Sequence, residues 1–225
     1  VRRFLRDNAL SLGFLLIFVV ALAAQSVVGL AYENEELAQH GRPPIGWTEF
    51  VTSSAFVVDV AENWQSEFLQ FFLFILATVW LVQRGSPESK KPGSEGVGSD
   101  EEQLVGAHSR PDSPRWARAG GLRGALYANS LLIVMGAIFV LSWLAQSLAG
   151  LVVANEENAE HGMPSLAWSD YLVSPDFWNR TLQNWQSEFL AVGAMVAFTI
   201  YLRQRGSAES KPVGTPHHTS AVESE

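Results

Sequence analysis

The string Asn63-Trp64-Gln65-Ser66-Glu67-Phe68-Leu69 returns letter for letter at Asn184 to Leu190, 121 positions further along the chain. The same shift lays Asn8 on Asn129, Gln25-Ser26 on Gln146-Ser147, His40-Gly41 on His161-Gly162, Trp47 on Trp168, and Gln83-Arg84-Gly85-Ser86 on Gln204 to Ser207. Roughly four in ten aligned positions agree without a gap, which is self-similarity far beyond chance and reads as one unit present twice.

Each unit holds two apolar runs. Leu10 to Ala31 carries no formal charge; at 1.5 Å per residue it covers about 33 Å, enough for a hydrocarbon core of roughly 30 Å. Its counterpart is Leu126 to Ala154, broken only by Asn129, Ser130, Ser142, Gln146 and Ser147. The second runs, Phe68 to Val82 and Phe189 to Leu202, reach spanning length when counted from Trp64 and Trp185, with Gln65, Glu67, Gln186 and Glu188 near one interface. A cleaved secretory signal is the other reading of the first run. It is disfavoured because such apolar regions are usually about 7 to 15 residues long and because the equivalent run recurs in mid-chain.

Composition agrees with that distribution. Of 225 residues 48% are hydrophobic and only 17% charged, against about 25% charged in a soluble domain. The absence of Cys excludes disulfides, thiol catalysis and thiolate metal sites. A net charge of −8 argues against nucleic acid as a partner.

Basic residues set the orientation. Arg2, Arg3 and Arg6, then Arg84, Lys90, Lys91, Arg110, Arg115, Arg118 and Arg123, then Arg203, Arg205 and Lys211 fall on one side of four spans; only Arg42 and Arg180 fall on the other. By the positive-inside rule both termini and the central segment are expected in the cytoplasm, with the two units as parallel repeats. The Gly-, Ser-, Pro- and Glu-rich stretch around Gly85 to Gly121 reads as a flexible linker, and the tail from Pro212, with His217 and His218, reads likewise. The expected organisation is a first helical hairpin over 1–87, a disordered cytoplasmic linker over 88–120, a second hairpin over 121–211 and a disordered tail over 212–225.

Two polar features stand out against the apolar filler. Gln25, Ser26, Gln65, Glu67, Gln146, Ser147, Gln186 and Glu188 come to similar depths when counted along their helices, so they are expected as one polar layer inside the outer leaflet. A carboxylate facing lipid there costs energy, which directs Glu67 and Glu188 inward, with Gln25 and Gln146 as donors. Such a layer serves either to pin helices together or as a site for a cation, proton or polar ligand. The second feature is an acidic run ending in His-Gly: Glu33, Asn34, Glu35, Glu36 and His40, then Asn155, Glu156, Glu157, Glu160 and His161. Glu36 with His40, and Glu157 with His161, are i,i+4 pairs that suit a divalent ion such as zinc or manganese, but the His-Gly-x-Pro spelling also reads as a helix stop. Trp47, Trp64, Trp168, Trp178 and Trp185 read as interfacial anchors. Gly29 and Gly150 read as close-approach points, and Asn8 and Asn129 as helix caps. Asn179-Arg180-Thr181 is read as an incidental glycosylation triplet.

Asp7-Asn8-x-Leu10, Gln25-Ser26-x-x-Gly29, Asn34-Glu35-Glu36, His40-Gly41-x-Pro43, the Asn63 to Leu69 string and Leu81-x-Gln83-Arg84-Gly85-Ser86-x-Glu88-Ser89-Lys90 together resemble a family of bacterial membrane proteins described as a domain of unknown function. The resemblance covers nearly residues 1–211 and both repeats. It implies a bacterial origin and a four-helix membrane protein; it implies no activity.

The expectation is therefore an all-α integral protein of the bacterial inner membrane, with four transmembrane helices as two parallel-repeat hairpins and both termini cytoplasmic. The bilayer is its first partner, and a second copy of the chain or an envelope protein is the expected kind of protein partner. A non-enzymatic binding or structural role comes first. The rival readings are a small transporter or channel with Glu67 and Glu188 on a cation or proton path, and an outer-face metal-binding protein using Glu36, His40, Glu157 and His161. No nucleophile elbow, phosphate loop, dinucleotide fingerprint or H-E-x-x-H string is present, which argues against an enzyme and calls for no cofactor.

Overall fold

Thirty-one residues from Ala9 to Gln39 form one helix. The stretch has no proline, and its leucines and alanines are good helix formers. Repeating the same spelling gives the same result: in a computed structural model that describes residues 1–220, a second 31-residue helix runs from Ser130 to Glu160. In chain order the α-helices are α1 (Arg2–Asp7), α2 (Ala9–Gln39), α3 (Trp47–Val51), α4 (Ser54–Trp80), α5 (Gly121–Ala128), α6 (Ser130–Glu160), α7 (Trp168–Leu172) and α8 (Pro175–Tyr201), with no strand among the described residues. Both ends of α2, α3 and α4 lie 121 positions before those of α6, α7 and α8.

Local chemistry sets the ends. Gly41 and Gly162 both take φ +67, a left-handed conformation that glycine adopts freely. That turn lets the amide of Arg42 reach Leu37 O at 2.8 Å and that of Met163 reach Asn158 O at 2.7 Å, closing the last turns of α2 and α6. Ser53 and Ser174 open α4 and α8, their hydroxyls accepting from the amides of Phe56 and Phe177. Asn8 and Asn129 do not cap forward as their position suggests. Their side-chain amides donate back to Phe4 O and Ala125 O, each at 2.8 Å, so they close α1 and α5 instead.

Among the described residues α2 and α6 are the two helices long and apolar enough to cross a membrane, with mean hydropathies of 2.5 and 2.1 over their best windows. The length of α4 and α8 suffices, but α4 carries Asp59, Glu62 and Glu67, and α8 carries Asp176, Arg180 and Glu188, within their first halves. Even past most of those charges, the Asn-Trp-Gln-Ser-Glu string at Asn63 to Glu67 and Asn184 to Glu188 dilutes the apolar run that follows, and neither helix meets the same criterion. Between α4 and α5 the chain makes turns and two short 3-10 helices, Gly106–His108 and Arg115–Arg118. Residues 221–225, the end of the expected tail, lie outside the described residues.

The described chain sorts into two compact units, neither of which is a repeat. The first comprises Val1–Val60 with Ala145–Tyr171, and the second Ala61–Leu144 with the chain from Leu172 onward. In the first, the rings of Phe50 and Tyr171, both buried, lie against Gly29 and Gly150. In the second, Phe139, Trp143, Phe177, Trp178 and Trp185 form an aromatic nest with ring centroids 5.7–6.4 Å apart, and Phe72 lies against Gly136.

Candidate functional site

In the first unit the acidic run ending α2 and α6 is organised around its asparagines. Asn34 Nδ2 donates to Ile45 O at 3.1 Å and its Oδ1 accepts from Ile45 N at 2.7 Å; Asn155 does the same with Leu166 at 3.1 and 2.7 Å. Eleven residues of loop are thereby closed on the helix end that precedes them. Beside each clamp a tryptophan donates to a buried serine: Trp47 Nε1 to Ser26 Oγ at 3.1 Å, and Trp168 Nε1 to Ser147 Oγ at 3.2 Å. So Ser26 and Ser147 tie the start of α3 or α7 down to the preceding long helix. The sequence put Asn34 and Asn155 in an acidic run and read the tryptophans only as anchors; an amide among carboxylates, at the same place in both copies, was the available signal.

The imidazoles are committed too. His40 Nδ1 lies 2.9 Å from Glu36 O, and His161 Nδ1 lies 2.8 Å from Glu157 O, both backbone carbonyls of their own helix. Among the described residues no group of three or more His, Asp or Glu side chains is gathered as a metal would need. The carboxylates of Glu36 and Glu157 are exposed. Arg42 and Glu160 pair at 3.2 Å, with both side chains well solvated; such a pair is worth about 1 kcal/mol or less.

The eight expected members of the polar layer divide four and four between the units, and their environments differ sharply between equivalent positions. Gln146 is fully buried while its repeat equivalent Gln25 is exposed; Gln65 is fully buried while Gln186 is exposed. Ser26 and Ser147 are both buried. In the second unit Trp185 Nε1 donates to Gln65 Oε1 at 2.8 Å. Glu67 is exposed and Glu188 half-buried, and the two are close enough to feel each other's charge. Arg180 joins Glu62 at 3.4 Å and Asp176 at 3.3 Å. Ser66, 2% exposed, returns its hydroxyl to Asn63 O at 2.9 Å and was not singled out by the sequence.

A further group, missed by the sequence, gathers the two Gly-Ser-x-Glu-Ser-Lys segments of the second unit. Glu88 and its repeat equivalent Glu209 share a hydrogen bond between carboxyls and line a cavity of about 340 Å³ with Gln70, Phe71, Phe74 and Met195. Lys211, 1% exposed, donates to the carbonyls of Gly85, His217 and Thr219. Burial, then the hydrogen bond and charge of Glu209, push the Glu88 carboxyl above the ordinary carboxylate range. A carboxyl whose folded pKa is raised holds its proton better when folded. Its contribution is therefore complete below the unfolded value of about 4.3 and is lost as pH rises through the folded value. Glu88→Gln should remove that loss. Amide exchange of residues 83–90 should slow as pH falls through the weakly acidic range in the parent protein and stay flat, apart from the intrinsic rate, in the variant. An unchanged profile would refute the shared proton.

These arrangements hold in a chain whose whole described length fits one family. The chain belongs to the DUF6766 family. The model of that family, described as a domain of unknown function, matches residues 1–222. No curated protein and no solved structure matches the chain. Membership of DUF6766 names no reaction, so the function has to be argued from what the side chains are doing.

Proposed function

We propose that this protein is a four-pass component of the bacterial inner membrane, with both termini cytoplasmic, whose role is non-enzymatic: a structural or binding element that displays two rigid loop caps on the outer face. The observation that carries the reading is how its polar groups are used. Asn34, Asn155, Trp47, Trp168, Ser26, Ser147, His40 and His161 are bonded to the protein's own backbone and side chains, in duplicate. A catalytic or metal centre keeps such groups converging on a vacant position.

Membrane insertion is supported by α2. Leu10, Phe14, Leu16, Ile17 and Val20 are all more than half exposed, a surface that water does not tolerate and lipid does. For α4 and α8 the support is their length, about 40 Å at 1.5 Å per residue, together with the near one-sided placement of the basic residues.

The channel reading is favoured only by the proximity of Glu67 and Glu188. Glu67→Gln with Glu188→Gln decides between them. The double variant is expected to insert normally and to keep its thermal stability within about 1 kcal/mol, because Glu67 is exposed, Glu188 is only half-buried and Gln keeps nearly the same shape. Vesicles reconstituted with the parent protein should show no proton or cation flux above protein-free vesicles. Flux in the parent that the double variant abolishes would replace this reading with the transport one.

A further inference from the structure

The cavity of the second unit is built from the same four positions of both repeats. The first copy supplies Gln70, Phe71 and Phe74 from α4 and Glu88 from the segment after it. The second copy supplies, 121 positions on, Ala191, Val192 and Met195 from α8 and Glu209 from the segment after that helix. On each helix the first and last of the three positions are four apart and so share a face. The copies agree at the carboxyl and differ at the other three: α4 brings an amide and two rings where α8 brings shorter side chains. About 340 Å³ is left open between them, a volume within the roughly 300–1,000 Å³ of small-molecule sites.

One end of this space is made of acceptors and the wall is apolar. Glu88 and Glu209 meet carboxyl to carboxyl, which needs a proton between them, because two carboxylates have no hydrogen to share. Among the described residues that line the cavity none is basic, so the chain supplies no cation in place of that proton. Gln70 adds an independent observation: its Oε1 is buried from solvent and accepts no hydrogen bond. A buried acceptor without a donor is costly, and native structures seldom keep one that water or a ligand does not fill. Glu209 is exposed and Glu88 half-buried, so the carboxyl end is reachable from water.

We propose that this cavity binds a primary alkylammonium ion, whose N–H groups take the place of the shared proton on Glu88 and Glu209 and reach Gln70 Oε1, with the alkyl chain along the Phe74 and Met195 wall. The three hydrogens of an ammonium match the three acceptors. A calcium ion takes six to eight oxygens; the wall offers it none, and among the described residues no group of three or more His, Asp or Glu side chains is gathered. An ethanolamine phospholipid carries the right ammonium, but it would set a phosphate beside two carboxyls with no basic lining residue to receive it. The inference goes beyond the outer-face role and does not depend on how many times the chain crosses the membrane.

Isothermal titration of the full chain in non-ionic detergent with hexylammonium chloride tests it. Hexylammonium should bind saturably at one site per chain, and butylammonium about fifteenfold more weakly, since each buried methylene contributes about fourfold. Hexanol, which keeps the chain without the charge, and trimethylhexylammonium, which keeps the charge without N–H groups, should each bind at least about tenfold more weakly than hexylammonium. Glu88→Gln with Glu209→Gln should lower hexylammonium affinity at least about tenfold, because charge-assisted hydrogen bonds become neutral ones. Ala191→Phe, at an exposed helix position, should abolish binding by filling the space while leaving both carboxyls in place, and it decides the matter if the double variant does not fold. No saturable heat with the parent protein, equal affinity in parent and Ala191→Phe, hexanol binding as tightly as hexylammonium, or displacement of hexylammonium by an equal concentration of calcium chloride would each overturn the proposal.

Discussion

Replacing Asn34 and Asn155 together by alanine should cost this protein up to about 4 kcal/mol, roughly 2 kcal/mol per copy, and should release both loops that follow α2 and α6. Each asparagine satisfies an amide and a carbonyl of the same loop residue, Ile45 or Leu166, which are themselves half-buried. Alanine leaves both backbone groups without that partner, and a part-buried group left unsatisfied costs about 1–3 kcal/mol. The two clamps share no hydrogen-bond partner but are neighbours, Arg42 of one loop pairing with Glu160 of the other helix end, so about 4 kcal/mol is the additive upper figure. Asn34→Asp with Asn155→Asp gives a graded control. It keeps the acceptor for the loop amide but sets a carboxylate oxygen against the loop carbonyl, so it should be at least as damaging as loss of one bond per clamp. Thermal unfolding in detergent gives the energy, and proteolysis within 40–47 and 161–168 gives the local release. If the alanine double variant unfolds within 1 °C of the parent and resists protease equally, the loops are held by something else and the rigid-cap reading fails with it.

How much of this was legible beforehand depends on what a single position can know. The helices α2 and α6 were readable because a long apolar run has few alternatives, and the Gly41 and Gly162 stops were readable because a glycine before x-Pro is a local signal. The repeat predicted two equal halves, yet Gln25 and Gln146 are spelled alike and end up exposed and buried. No local rule distinguishes them: burial depends on which neighbour arrives, and α2 and α6 have different neighbours. The Glu88 and Glu209 pairing was invisible for the same reason, since the two residues are far apart in sequence and each sits in a polar stretch that reads as linker or tail. Asn8 and Asn129 show a subtler limit. Their position is that of a cap, but whether an amide caps forward or closes the preceding turn depends on the backbone, here φ −122 and ψ 17 at Asn8.

Gly150→Val should destabilise the protein by about 3 kcal/mol, at the upper end of what overpacking costs. A Cβ at this position would lie 2.3 Å from Tyr171 Oη and 3.0 Å from its Cζ. Tyr171 is 1% exposed, so its ring has nowhere to retreat without disturbing the unit around it. Helix propensity works the other way: removing a glycine from mid-helix gains up to about 1 kcal/mol. Gly150→Ala therefore tests which effect wins, and a net loss of about 1–2 kcal/mol is expected because the contact cannot be relieved by a flexible chain end. Tyr171→Phe placed on Gly150→Ala removes the hydroxyl but leaves Cζ, so it should recover part of that loss and no more. The equivalent pair supplies the reason for a partial rescue. Phe50 already lacks the hydroxyl, and a Cβ at Gly29 would still lie 2.7 Å from its ring. Gly29→Ala should accordingly destabilise by less than Gly150→Ala, both being read from thermal unfolding of the detergent-solubilised protein. A neutral or stabilising Gly150→Ala would mean that α6 and the α7 ring are not held at this distance, and the close approach that both glycines were read to serve would have to be given up.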